Sequence, residues 1–265
     1  MYNSAMSEEK TTLPPARLGK ALGQGFRAAY DSLGYVVAAS FGTFLICACL
    51  LTLAGLSARH IKGPAGMLLI VPAMLAAWLC EVGILYFARK SVYEGHAMLS
   101  DTWEGIGKLL RPAIALFAAD LAITAVLLGD AYFFLLAFRA SGGAGLAALG
   151  VFFAYLSLVW VMMGLYHLPV LVAQLEMESG PRVRVVLYKS LLLAMGNPGF
   201  TLGFFVAIIA FAALCALPGL LGMAILFPGA AAFLLTSALR ELFIKYGVVE
   251  AEPDTVEDKP WRLSI

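Results

Sequence analysis

Charged residues are scarce in this sequence. Asp, Glu, Lys and Arg make up 13% of its 265 residues, against about 25% in an average soluble domain. Hydrophobic residues make up 62%, and the mean hydropathy is +0.88. A soluble globule of this size has too little interior to hide so many apolar side chains, which excludes a soluble enzyme. It excludes a disordered chain as well, apart from the ends. Net charge is only +1, so there is no global basic field with which to bind nucleic acid. Cysteine is also sparse. Cys47, Cys49, Cys80 and Cys215 each lie in an apolar run, and no two stand at a C-x-x-C or zinc-like spacing, so they read as small buried hydrophobes. The first thirty residues hold no apolar h-region, and no signal peptide is expected.

Catalytic motifs are missing too. There is no H-E-x-x-H and no G-x-S-x-G, the signatures of zinc proteases and of hydrolase nucleophile elbows. Gly19-Lys20 lacks the following Ser or Thr and the preceding glycine of a phosphate loop. Gly129-Asp130 has the end of an intramembrane aspartyl protease motif. Its earlier glycine is replaced by Leu127, however, and Asp120, which would have to be the second acid, shares the same span. The sequence therefore predicts no enzyme, no cofactor and no metal.

What the chain does have is long apolar runs. A bilayer core takes about 20 apolar residues per helix, and six runs approach or exceed that length, at 34–56, 64–88, 112–138, 145–172, 199–217 and 220–239. The predicted fold class is all-α, a polytopic bundle of six transmembrane helices. The last two runs are short and joined by Pro218-Gly219, which predicts a tight hairpin. Pro72, Pro169 and Pro228 fall inside spans, where each is expected to free a carbonyl and bend its helix. The domain reading is a flexible N-terminal segment (1–16), a six-span membrane domain (17–247) and an acidic cytoplasmic tail (248–265) anchored at most by Trp261.

The few charges orient the bundle. With the N-terminus inside, fifteen of the eighteen Lys and Arg fall on the inner side, and only Arg59, Lys62 and Arg139 fall outside. This is a strong positive-inside bias. Both termini are expected in the cytoplasm, with short external loops.

The inner connections carry polar stripes. Arg17, Lys20, Gln24 and Arg27 follow offsets of 0, 3, 7 and 10, and so do Asp101, Glu104, Lys108 and Arg111. Opposite them lie Leu18, Leu22, Phe26 and Ala29 in the first case, and Trp103, Ile106, Leu109 and Leu110 in the second. These patterns predict amphipathic helices on the cytoplasmic side, with Asp101 and Glu104 marking a helix start. Residues 182–195, with Arg182, Arg184 and Lys189, form a third and less regular one. Each precedes an odd-numbered span, which gives a weak threefold repeat of interfacial helix, span up and span down. The helices read either as elbows that set span geometry, or as surfaces whose Arg17, Lys20, Arg27, Lys108, Arg111, Arg182, Arg184 and Lys189 contact anionic lipid or a partner.

Further short motifs stand in order along the chain. Tyr86-Phe87-Ala88-Arg89-Lys90 is followed by Glu94-Gly95, then by Trp103, Gly107 and Lys108 leading into Arg111-Pro112, by Gly196-Asn197-Pro198 and by Ala238-Leu239-Arg240-Glu241. In these residues the chain resembles the YesL-like family of bacterial six-helix integral membrane proteins, of unknown function. The likeness covers roughly residues 18–247. It implies a bacterial plasma-membrane protein with an accessory role in solute transport, since such proteins are often encoded beside carbohydrate-uptake systems.

Ionisable groups inside a span are costly and functional by default. Glu81 stands seven residues from the inner end of the second run, Asp120 eight from that of the third, and His167 five from that of the fourth. At 1.5 Å per residue, the two acids sit about 10–12 Å above the inner boundary. The three residues are candidates for one polar layer, either a proton relay or a substrate site in which two carboxyls share a proton. The alternative is that each acid pairs locally and helps the helices pack, with Tyr86, Thr124 and Arg89 as partners. Small residues four apart, Gly34, Ala38 and Gly42 and then Gly199, Gly203 and Ala207, predict close helix packing, within one bundle or in a homo-oligomer. Two functions remain open: an accessory or small carrier in solute transport, with a transporter complex as partner, or a non-catalytic scaffold binding a partner through its basic elbows.

Overall fold

The computed structural model describes residues 15–60, 70–177 and 180–249, with the backbone alone at 57–60 and 220. The positions of Lys10, Lys62, Lys259 and Arg262, the N-terminal segment before 15 and nearly all of the acidic tail lie outside the described residues. Among the described residues nine α-helices follow in order: α1 Leu18–Asp31, α2 Leu33–His60, α3 Ile70–Glu94, α4 Leu99–Ser141, α5 Ala144–Ala173, α6 Val183–Gly196, α7 Pro198–Ala216, α8 Leu220–Ile225 and α9 Phe227–Lys245. A 3-10 turn, Gln174–Glu176, extends α5. There is no strand among the described residues.

Six of these helices, α2, α3, α4, α5, α7 and α9, are long and apolar enough to cross a membrane. Their exposed positions are large and apolar, for example Leu53, Val126, Phe133, Val151 and Val206, as a lipid-facing surface requires. The least apolar span, α9, with a mean hydropathy of 1.3 over its span window, is also the most enclosed: 72% of that window is buried, against 6% for α4. It is the central helix, packed on α1, α2, α3, α5 and α7. Its wall of small residues (Gly229, Ala230, Ala231, Ala232, Ser237, Ala238) admits neighbours at close range. Cβ atoms added at Gly229 and Gly25 would lie 2.7 Å from the Val36 carbonyl oxygen and 2.9 Å from Leu234 Cδ2, so α2 and α1 touch α9 nearly backbone to backbone.

The expected small-residue stripes pack differently. Gly34, Gly42 and Gly199 have nothing within 4 Å of a Cβ position, and of the stripes' glycines Gly203 alone meets a neighbour, Leu18. Close approach occurs instead where α3 crosses α4, with Gly83 against Thr102 and Gly105 against Tyr86.

Several span boundaries shift. Residues 99–111 do not form a separate elbow: α4 runs unbroken for 43 residues through Pro112, about 65 Å, or twice the thickness of a bilayer core. Its start is where Asp101 and Glu104 place it, because Asp101 Oδ2 accepts the Met98 N–H at 2.7 Å. The α7–α9 hairpin turns at Gly219, φ +81°, but the sixth run is divided into the short α8 and then α9, which continues to Lys245. Pro228 consequently lies in the first turn of α9, where its missing N–H breaks no helical bond. Pro169 sits in the interior of α5, and Pro72 lies within α3 near the first described residue of that helix. The three pre-span segments also differ in form. α1 is separated from its span by a break at Ser32, the second is fused into α4, and α6 meets α7 at Asn197-Pro198.

Candidate functional site

An open cleft of about 660 Å³ lies among the spans, with the exposed Met74 and Val161 in its lining. All six spans line it: Thr43 from α2, Trp78 and Glu81 from α3, Phe117, Asp120 and Thr124 from α4, Trp160 from α5, Ile208 from α7, and Phe227 and Ala231 from α9. Both predicted intramembrane acids are therefore on one wall system.

The α4–α5 pair brings Asp120 to His167. The two helices zip antiparallel through Leu135 against Gly150, Phe134 stacked on Phe153 at 5.5 Å, and Trp160 Nε1 donating to Thr124 Oγ1 at 3.1 Å. In that register His167 Nδ1 lies 2.9 Å from Asp120 Oδ1 and 3.1 Å from Oδ2. With Asp120 ionised, Nδ1 is the protonated nitrogen. His167 is fully buried and does not line the cavity, its Nε2 has no partner, and the Trp160 ring lies against it at 5.1 Å. The imidazole thus forms a backing behind Asp120.

Glu81 stands apart. It has no hydrogen-bond or ion-pair partner among the described residues, and none of the anticipated local partners serves either acid. Tyr86 donates to Glu104 at 3.5 Å, Thr124 accepts from Trp160, and Arg89 binds Glu176. Trp78 donates to the Ala113 carbonyl and packs on Phe117, and Tyr86 lies against Gly105. Glu81 and Asp120 line the same cavity, while His167 lies behind Asp120.

A second cavity, about 340 Å³, lies at the cytoplasmic-side end of α3 in the predicted orientation. Its lining includes Tyr86, Arg89, Lys90, Tyr93, Glu94, Lys108 and Glu176. Arg89 grips Glu176 with Nε at 2.9 Å and Nη2 at 2.6 Å and lies over the Tyr93 ring at 4.5 Å. Lys90 binds Asp101 at 2.8 Å. Lys108 binds Glu104 at 2.6 Å. Five residues of the sequence resemblance, Tyr86, Arg89, Lys90, Glu94 and Lys108, converge here, and Asn197 of the same set holds Tyr246 at 2.8 Å.

The other predicted interfacial cations are dispersed. Arg17, Arg27, Arg111, Arg182 and Arg184 are exposed, and Lys20 and Lys189 are half-buried, with Lys189 Nζ 3.1 Å from Met177 Sδ. One acid was noted in the sequence only as the end of Ala238-Leu239-Arg240-Glu241, with no role assigned. Glu241 is buried on α9, and its Oε1 accepts the Arg17 N–H at the start of α1 at 3.1 Å. No group of His, Cys, Asp and Glu suited to a metal ion occurs among the described residues. No family model matches the chain, nor does any curated protein or solved structure.

Proposed function

We propose that the chain is a multi-pass protein of a bacterial plasma membrane, both termini cytoplasmic, that acts as a small carrier or as the accessory of one in solute transport. A single observation carries this reading: one cavity touched by all six spans presents both intramembrane acids, one of them unpartnered. Intramembrane acids facing a cavity between helices suit proton or solute pathways better than simple packing, which would bond them away. The titratable groups around Glu81 are Asp120 with His167 behind it, the Tyr35 hydroxyl and the Cys80 thiol. In this reading protons reach the cavity through Glu81 and the Asp120–His167 pair.

The elbow segments belong to the same proposal. Phe26 and Tyr30 on α1, Leu99 and Trp103 on α4, and Tyr188, Leu192 and Met195 on α6 are all exposed. A headgroup layer would cover them while the cations reach anionic lipid, in a threefold arrangement of elbow, span and span. We take the YesL-like resemblance as part of this reading, supported by the convergence of its motif residues on the second cavity.

The test is reconstitution of the full chain into liposomes holding a pH dye, with a panel of solutes applied outside. At least one solute gradient should drive a proton flux that Glu81→Gln and Asp120→Asn both abolish. If both variants behave as the unaltered protein does, the carrier reading fails, and the scaffold reading, which draws on the exposed Arg27, Arg111 and Arg184, takes its place.

A further inference from the structure

We propose that this cleft among the spans binds a lipophilic organic cation, a positive charge wrapped in aromatic or alkyl groups. The inference rests on the cavity being the transport site and names the class of its ligand. Three features of the wall point to it.

The first is charge. Glu81 and Asp120 line the cavity, and no Lys or Arg does. A carboxyl facing an apolar space without a partner is stable when protonated or when a cation stands beside it. Glu81 has no such partner among the described residues, whereas Asp120 has His167 behind it.

The second is aromatic surface. Trp78, Trp160, Phe117 and Phe227 all line the cavity. Both indole N–H groups are already bonded into the wall, to the Ala113 carbonyl at 3.2 Å and to Thr124 Oγ1 at 3.1 Å. What the tryptophans offer a ligand is therefore ring surface, which attracts cations.

The third is poverty in donors. The Thr43 hydroxyl donates to the Ala39 carbonyl at 2.9 Å, and no Asn, Gln, Arg or Lys lines the space. A polyhydroxylated ligand would leave several polar groups unpaired in this wall, at a cost for each. An anion would face two acids and no cation. A lipophilic cation asks for none of the missing donors. At about 660 Å³, the space lies within the range of pockets that hold drug-sized ligands, about 300–1,000 Å³.

The probe is tetraphenylphosphonium, measured by equilibrium dialysis against the purified full chain in detergent, with tetraphenylborate as the control of equal shape and opposite charge. The cation should bind saturably and at least about tenfold more tightly than the borate, and Glu81→Gln should weaken it about tenfold, as expected for losing one charge contact in a dry site. Because Glu81 bonds to nothing among the described residues, this variant is expected to keep the fold. Asp120→Asn, which disturbs His167, serves as the second variant. Equal binding of the borate, or cation binding unchanged in Glu81→Gln, overturns the proposal. Saturable binding of a disaccharide with none of the cation overturns it in favour of a sugar site. Charge-selective binding without proton-coupled flux defeats the transport reading and leaves this one standing. Flux of another solute with no cation binding does the reverse.

Discussion

His167 is sealed from solvent, with its Nδ1 2.9 Å from Asp120 Oδ1 and its Nε2 bonded to nothing. Asp120 is therefore the one polar anchor of a buried ring. Asp120→Ala should destabilise the protein by about 1–3 kcal/mol, because it leaves both ring nitrogens unsatisfied. His167→Ala should cost a similar amount. The double variant should cost less than the sum, and thermal unfolding in detergent across the four proteins gives the coupling.

Glu81 predicts the opposite pattern. With no partner to lose, Glu81→Gln should change stability by less than about 0.5 kcal/mol while removing the cavity charge. A melting temperature equal to that of the unaltered protein, together with lost proton flux, is the expected pair of results. A large loss of stability would mean that the carboxylate has a structural partner.

The crossing of α3 and α4 depends on missing side chains. A Cβ at Gly105 would stand 2.5 Å from Tyr86 Cβ, whereas one at Gly107, two residues on, meets nothing within 4 Å. Gly105→Ala should therefore destabilise by about 1–3 kcal/mol through overpacking. Gly107→Ala should stabilise by about 0.5–1 kcal/mol through helix propensity. Chemical or thermal unfolding of the two variants side by side checks the contrast in sign.

Arg89 and Glu176 are unequal partners. The Arg89 side chain is 11% exposed and the Glu176 side chain 66%. Glu176→Gln should cost less than about 1 kcal/mol, as for other exposed ion-pair partners. Arg89→Ala should cost more, because the guanidinium also packs on Tyr93 and lines the second cavity. The two melting temperatures give the order.

Glu241 holds the first turn of α1 through the Arg17 N–H. Glu241→Ala should loosen α1 from α9 without unfolding the spans. Hydrogen exchange should rise at residues 17–21 and stay low in α9. Uniform exchange across both helices would rule out this local role.

Much of the fold was legible in the sequence, for a local reason. Whether a segment crosses a bilayer depends on its own apolar length, so six runs in the sequence became six spans in the structure. Helix ends were read less well. Pro112 looked like a boundary, yet α4 passes through it, with Gly105 and Thr102 packed on α3 just before it. The site was read in part. Glu81, Asp120 and His167 were found by being polar in apolar runs. Which of them touch was not legible, because the Asp120–His167 contact depends on the register of α4 on α5.

The sequence by itself determined the membrane class, the number of spans and the short list of intramembrane ionisable groups, since each follows from composition within a single segment. Tertiary structure alone decided that α9 is central, that His167 backs Asp120, that Glu241 is buried under α1 and that one cavity reaches both acids. In lipid, apolar faces have no hydrophobic reason to choose one another. Neighbours are selected by shape, as with Gly229 against Val36 and Gly150 against Leu135, and shape exists only once the helices are packed.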